Sequence, residues 1–289
     1  MAEISIDSEL CAGCFLCSRV CPCAVFCRAE GEIVPRVGLV GFCIGCGHCV
    51  SICSEGAIIH SDYPESRVVP LNPELCPSGE QLMELMRSRR SIRNFKDLPV
   101  PNSMIETLIE AGRTAPSAHN DQTVEYVVVS DPEVLKQVVV HTRDFLGRSV
   151  KTMEEAKVNS GHLNQFRALY IALLHGIDMI LFNAPVLLVL HGRAESAFAE
   201  TNSHLAIANI MLMARAIGLG GFYTGFVILA SRESNEIATL LKVPPAHRVH
   251  CGLTLGYPVF NYPNHPIRKH SRVTWLQGER PGEWEPEEN

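Results

Sequence analysis

Two copies of one cysteine pattern near the start of the chain limit what it can fold into more than any other feature. Cys11, Cys14, Cys17 and Cys21 are spaced C-x2-C-x2-C-x3-C with Pro22 next, and Cys43, Cys46, Cys49 and Cys53 repeat the spacing with Ser54 in the proline's place. Cysteines two residues apart in one tight loop turn several thiolates toward a single point, as a 4Fe-4S cubane requires. Gly13, Gly45 and Gly47 let backbone amides approach the sulfurs, where N–H···S bonds tune a cluster's potential. Zinc sites use four ligands in two pairs rather than a repeated run of four. A disulfide framework needs an oxidising compartment, and Met1 to Ser8, with Glu3 and Asp7, lack a basic stretch followed by an apolar run.

A head of about sixty residues has too little apolar core to fold without a cofactor, whereas the rest of the 289-residue chain can build an ordinary core. Asp plus Glu number 31 against 25 for Lys plus Arg, and a net charge of -6 argues against a nucleic-acid partner. The most apolar stretch, Ile171 to Leu190, is interrupted by His175, Asp178, Asn183 and Pro185, so it reads as a buried helix and strand, not a membrane span. A cytoplasmic protein with reduced thiols is expected.

Along the chain, Ile4 to Ile6 reads as a first strand and residues 33–40 as a small hairpin. Cys23 and Cys27, outside the repeated pattern, read as buried apolar cysteines; Cys76 and Cys251 receive no role. Pro64, Pro70, Pro73 and Pro77 mark residues 61–79 as a linker. Ser78 with Gln81 is a capping-box signal, and Leu82, Met83, Leu85 and Met86 give the following helix an apolar face. That helix leads into Arg89-Arg90-Ser91-Ile92-Arg93, whose guanidinium forks suit phosphate oxygens, although a basic run taken alone is more often a solvated face. A helix through Met104 to Gly112 then ends in the polar loop Ala115 to Gln122. Strands are expected over Tyr126 to Val129, Val186 to His191 and Val249 to Leu255. Helices are expected over 134–145, 165–180 and 208–220, with a last short one capped by Ser231. Residues 276–289 form an acidic tail that Trp275 and Trp284 could pin.

Residues 1–60 resemble two-cluster bacterial-type ferredoxins. That resemblance implies that the fourth cysteine of each run serves the other cluster: Cys11, Cys14, Cys17 and Cys53 hold one, and Cys21, Cys43, Cys46 and Cys49 the second. Residues 80–275 resemble the FMN-dependent nitroreductase family. The likeness is carried by Arg-Arg-Ser-x-Arg-x-Phe at 89–95, Ala-Pro-Ser-x-x-Asn-x-Gln at 115–122, Gly218-Leu219-Gly220 and Gly256-Tyr257-Pro258. It implies an α+β fold with a central sheet wrapped by helices, and a homodimer with FMN at the subunit interface. It assigns Arg89, Arg90, Ser91 and Arg93 to the FMN phosphate, ribityl chain and ring edge, with Arg268 and Lys269 completing the phosphate site. The loop of Pro116, Ser117, Asn120 and Gln122 would lie on the flavin, with Asn120 bonded to the isoalloxazine. Tyr223, Thr224 and Gly225 would bring a backbone amide to the flavin nitrogen. Residues 141–178 correspond to a variable lid, where His162, Tyr170 and His175 are candidate proton donors, against the plainer reading of exposed or capped side chains.

Clusters pass single electrons and a flavin exchanges one or two, so the combination implies a wire feeding a two-electron centre. The leading expectation is an oxidoreductase that takes electrons from an external ferredoxin or reductase, through its clusters and FMN, to a small electron-poor acceptor such as a nitroaromatic or quinone. Two alternatives stand beside it: NAD(P)H oxidation with outward flow through the clusters, and a redox sensor or carrier that turns nothing over.

Overall fold

The computed structural model describes residues 2–157 and 161–276. In the cysteine-rich head, β1 (Ile4–Ile6) pairs antiparallel with β4 (Ile58–His60), Ile4 opposite His60 and Ile6 opposite Ile58, so the two ends of the segment close on each other. Between them, β2 (Phe26–Ala29) and β3 (Glu32–Pro35) make a hairpin. It begins earlier than expected, because Glu30 and Gly31 both take positive φ, 51° and 91°, the geometry of a tight two-residue turn. The short helices α1 (Leu16–Val20) and α2 (His48–Ile52) contain Cys17 and Cys49. The core is a handful of side chains, Val25, Phe26, Ile33, Val50 and Ile58 with those two cysteines, too few to hold sixty residues by burial alone.

Residues 61–78 follow, extended apart from two short turns, and α3 (Gly79–Ser88) begins on the expected capping box. The Gln81 amide donates to Ser78 Oγ at 3.2 Å, and the Ser78 amide to Gln81 Oε1 at 2.8 Å. No residue of α3 is buried, so its apolar face stays open to solvent in the single chain.

The larger unit is built on an antiparallel sheet in the order β5 (Glu125–Val129), β6 (Val186–Arg193), β7 (His247–Leu255). β6 is central and buried from Val186 to Gly192, which explains its unbroken apolar run. Leu187, Val189 and Val249 face α5 (Pro132–Glu155), α6 (Gly161–Leu174), α8 (Gly225–Glu233) and α9 (Glu236–Leu240). Leu188, Leu190, Cys251 and Leu253 face α4 (Asn102–Arg113) and α7 (Ala199–Ala216). Helices thus cover both faces of an α+β domain.

Several boundaries differ from the sequence reading. α5 runs ten residues past Phe145, since Leu146 and Val150 continue its buried stripe. α6 stops at Leu174 rather than Ile180: Gly176 takes φ 78°, and Asp178 collects the amides of Ile180, Leu181 and Asn183 at 2.8–2.9 Å, capping a turn. α7 begins at Ala199, well before 208. Ser231 does not cap the last helix; it lies inside α8, its Oγ donating to the Ile228 carbonyl at 2.8 Å, and Asn235 precedes α9. Trp275 is 75% exposed among the described residues; Trp284 and nearly all of the acidic tail fall outside them. Among the described residues no helix is long and apolar enough to cross a membrane.

Candidate functional site

The cysteines gather in two sets. One cavity is lined by Cys11, Cys14, Cys17 and Cys53. The other is lined by Cys21, Cys43, Cys46 and Cys49, with Cys23 and His60 beside them. Closing β1 onto β4 and packing α1 against α2 is what carries Cys53 to the first run and Cys21 to the second. Backbone amides approach the sulfurs: Val25 to Cys21 and Gly45 to Cys43 at 3.4 Å, and Ala57 to Cys53 at 3.3 Å. Burial, followed by the charge of neighbouring cysteines, pushes the thiols of Cys17 and Cys43 up, and that of Cys49 to about 11. Four such groups can be thiolates together only around a cationic centre, and two sets of four sulfurs meet the donor requirement of two 4Fe-4S clusters.

His60 was missed from sequence because only the β1–β4 pairing brings it there. It is 3% exposed; its Nδ1 accepts the Asp62 amide at 3.1 Å, which leaves the ring proton on Nε2, 3.5 Å from Cys43 Sγ.

The second cysteine loop is also where the two units meet. Asn120 Nδ2 donates to the carbonyls of Gly45 at 2.6 Å and Ile44 at 3.3 Å, and Tyr63 Oη donates to the same Gly45 carbonyl. The Asn120 loop is held in a costly shape, with His119, Asn120 and Gln122 at φ 54°, 54° and 49°. Ser117 Oγ accepts the Gln122 amide at 3.0 Å; Asn202, 2% exposed, accepts the Ala118 amide and donates to Asp121, both at 3.1 Å. Asn202 and Tyr63 carry no motif and became visible only through these contacts.

The arginines build a positive cavity. Arg89 is half-buried, and its pKa is lowered by burial and then by the charges of Arg268 and Arg90. Arg89, Arg90, Lys96 and Arg215 line a space of about 250 Å³ with the 218–221 glycine stretch, and no carboxylate is among its lining residues. Unbalanced cations around a cavity are the chemistry of a phosphate site. The glycines are needed where the walls meet: a Cβ on Gly221 would lie 1.8 Å from the Thr254 carbonyl oxygen, and one on Gly220 2.5 Å from Ile92. Ser91 bridges to Gly221 at this wall, whereas Arg93 turns aside, its guanidinium carbon 5.0 Å from the Phe222 ring centre and 5.8 Å from that of Phe182. Lys269 and Pro116 are exposed.

At the other expected flavin contact, the amides of Thr224 and Gly225 are already used, donating to Gly252 and Tyr223 carbonyls at 2.8 and 3.2 Å. Thr224 Oγ1 is buried without a hydrogen-bond partner, and Tyr223 Oη donates to the His250 carbonyl at 3.3 Å and lies 3.2 Å from His204 Nε2. The three lid candidates are not brought together: His162 and His175 are exposed at opposite ends of α6, and Tyr170 packs inward on Gly147.

This pairing of a four-sulfur double site with a helix-wrapped sheet and an arginine cavity defines a class of cluster-bearing redox proteins. Residues 86–257, more than half of the chain, match the Nitroreductase family, and the chain belongs to it. Residues 3–54 match the 4Fe-4S dicluster domain. A putative NADH dehydrogenase/NAD(P)H nitroreductase of Methanothermobacter thermautotrophicus is 26% identical over 64% of this chain and 81% of its own. Iodotyrosine deiodinase of Nematostella vectensis is 28% identical over 31% of this chain, which spans 34% of that protein. The nitroreductase of Bacteroides fragilis with bound FMN shares the fold at a TM-score of 0.54 and 20% identity, over 68% of this chain and 99% of that one.

Proposed function

We propose that the protein is an FMN oxidoreductase supplied with electrons through its own iron-sulfur head, the second cysteine set being the step next to the flavin. The observation that carries this reading is the bond between Asn120 and Gly45, since it ties the loop that on this reading lies on the flavin to the loop between Cys43 and Cys46. On this reading residues 1–60 hold both clusters, 61–79 link, and 80–275 bind FMN.

Bound FMN supplies hydride and single-electron chemistry to an electron-poor organic acceptor. The chain's own residues position and screen it. Arg89, Arg90 and Arg268 hold the phosphate and, with Arg215 and Lys96, favour an anionic guest. The open face of α3, with Leu82, Met83 and Met86 each 38–46% exposed, supports burial against a second copy, which would complete a cavity too small for the whole cofactor. An external ferredoxin or reductase, in the cytoplasm, is the donor.

A second reading draws on the name of the archaeal relative: NAD(P)H reduces the flavin and electrons leave through the clusters. Anaerobic rapid mixing of the loaded protein with a reduced ferredoxin, and separately with NAD(P)H, separates the two. Cluster bleaching that precedes flavin bleaching with ferredoxin, and no bleaching with NAD(P)H, is expected; fast flavin bleaching by NAD(P)H would reverse the direction of flow.

A further inference from the structure

Glu125, His191 and His247 stand at one end of the sheet on three adjacent strands. Glu125 is opposite His191 in the β5–β6 ladder, and His247 is opposite Arg193, two residues along from His191. Strand alternation therefore sends all three side chains to the face that also carries Val127, Val129, Leu187, Val189 and Val249. The ladder slips between Leu190, which pairs with Cys251, and His191, which pairs with Val249, leaving His250 as the extra residue of a bulge. Such bulges increase local twist and re-aim side chains.

At this end His191 Nδ1 and His247 Nδ1 are 3.0 Å apart. Glu125 places one carboxylate oxygen 3.9 Å from His247 Nδ1 and the other 4.0 Å from His191 Nε2. One donor atom from each of the three residues lies within 4.8 Å of the other two. We propose that Glu125, His191 and His247 bind one divalent transition metal of zinc's class, through a carboxylate and two neutral imidazoles, with a water in the fourth position.

Metal–nitrogen and metal–oxygen bonds of about 2.1 Å arranged tetrahedrally separate neighbouring donors by about 3.4 Å. One donor atom from each residue already lies within 4.8 Å of the other two, so the set reaches that spacing by a small movement of side chains. The histidines are fixed by burial, with side chains 4% and 11% exposed, while the Glu125 side chain, 56% exposed, is free to close in. Burial also keeps the His191 ring in its neutral, ligating form by lowering its pKa. Imidazole and carboxylate donors separate this site chemically from the thiolate sets of the head.

The test uses anaerobically purified protein with both clusters loaded. Zinc is titrated against a chromophoric chelator, and bound zinc and iron per chain are measured for wild type, Glu125→Gln and His247→Gln. One zinc per chain is expected in wild type and at least tenfold weaker binding in both variants, with iron content unchanged. Cys23, Cys27 and Cys76 are competing sinks, so equal zinc uptake by all three proteins overturns the assignment, as does no uptake by any. Should His247→Gln fold poorly, Glu125→Gln, altered at a half-exposed carboxylate, decides alone: zinc raises the unfolding temperature of wild type and leaves this variant's unchanged.

Discussion

Asn120 Nδ2 lies 2.6 Å from the carbonyl oxygen of Gly45, and that carbonyl stands between two cysteines of the second set. A neutral hydrogen bond of this kind is worth about 1 kcal/mol, roughly a fivefold factor in an equilibrium. Because Tyr63 also donates to Gly45, Asn120→Ala should loosen the junction without undoing it. Ferredoxin-driven flavin reduction is expected to slow about fivefold or more, while reduction of the same flavin by dithionite is unchanged. Stopped-flow traces of both reactions check this.

Replacing Cys46 removes one ligand from the set next to Asn120. Cys46→Ser should lower iron from about eight to about four atoms per chain and abolish donor-driven turnover. FMN content and chemically driven turnover should persist, because the arginine cavity shares no residue with that set.

Arg89 offers a test in which binding and stability move in opposite directions. Its guanidinium is crowded by Arg268 and Arg90 without a balancing carboxylate among the lining residues of the cavity. A hydrogen bond to a charged partner contributes about 1.5–3 kcal/mol, so Arg89→Gln should weaken FMN binding about 10- to 100-fold. The flavin-free protein should gain thermal stability, since like charges are relieved. Flavin fluorescence on dilution and thermal unfolding of the flavin-free form measure the two effects.

His60 should set the potential of the second cluster. Its Nε2–H points at Cys43 Sγ from 3.5 Å, and a donor to sulfur favours the more negative, reduced cluster. If that preference is about 1 kcal/mol, His60→Leu lowers the potential by about 40 mV. An EPR-monitored redox titration of the loaded protein reads the shift.

The cysteine sets were legible because metal-ligand spacing is local: three of four ligands sit in one loop, and only the exchange of Cys21 and Cys53 depends on tertiary closure. β6 and the α3 capping box were legible for the same reason, one being an unbroken apolar run and the other a pair of residues three apart. What escaped was fixed by long-range pairing. His60 acquires its role from the β4 register, Tyr63 and Asn120 from a meeting of the two units, and Arg93 from the rings of Phe182 and Phe222. The helix end at 174 escaped because Gly176 and Asp178 act through backbone geometry inside an apolar stretch, and the end at 155 because Leu146 and Val150 carry the buried stripe of α5 past Phe145.

His250, the bulge residue of β7, gives the stability a pH dependence of defined sign. Its side chain is buried, and its Nε2 has no hydrogen-bond partner. Burial lowers its pKa, outweighing the pull of Glu200 and of a backbone hydrogen bond at Gly192, and Arg232 and His204 push the same way as burial. The unfolded chain therefore takes up the proton first, near the ordinary histidine value of about 6.5. Stability from this residue is complete above that pH and is lost as pH falls through the lower folded-state value. His250→Asn should show a smaller drop in unfolding temperature between pH 7 and pH 5 than wild type. Comparing the two proteins at each pH cancels the acid lability of the clusters, which both share. Equal drops would mean that the bulge opens and solvates the ring before it is protonated.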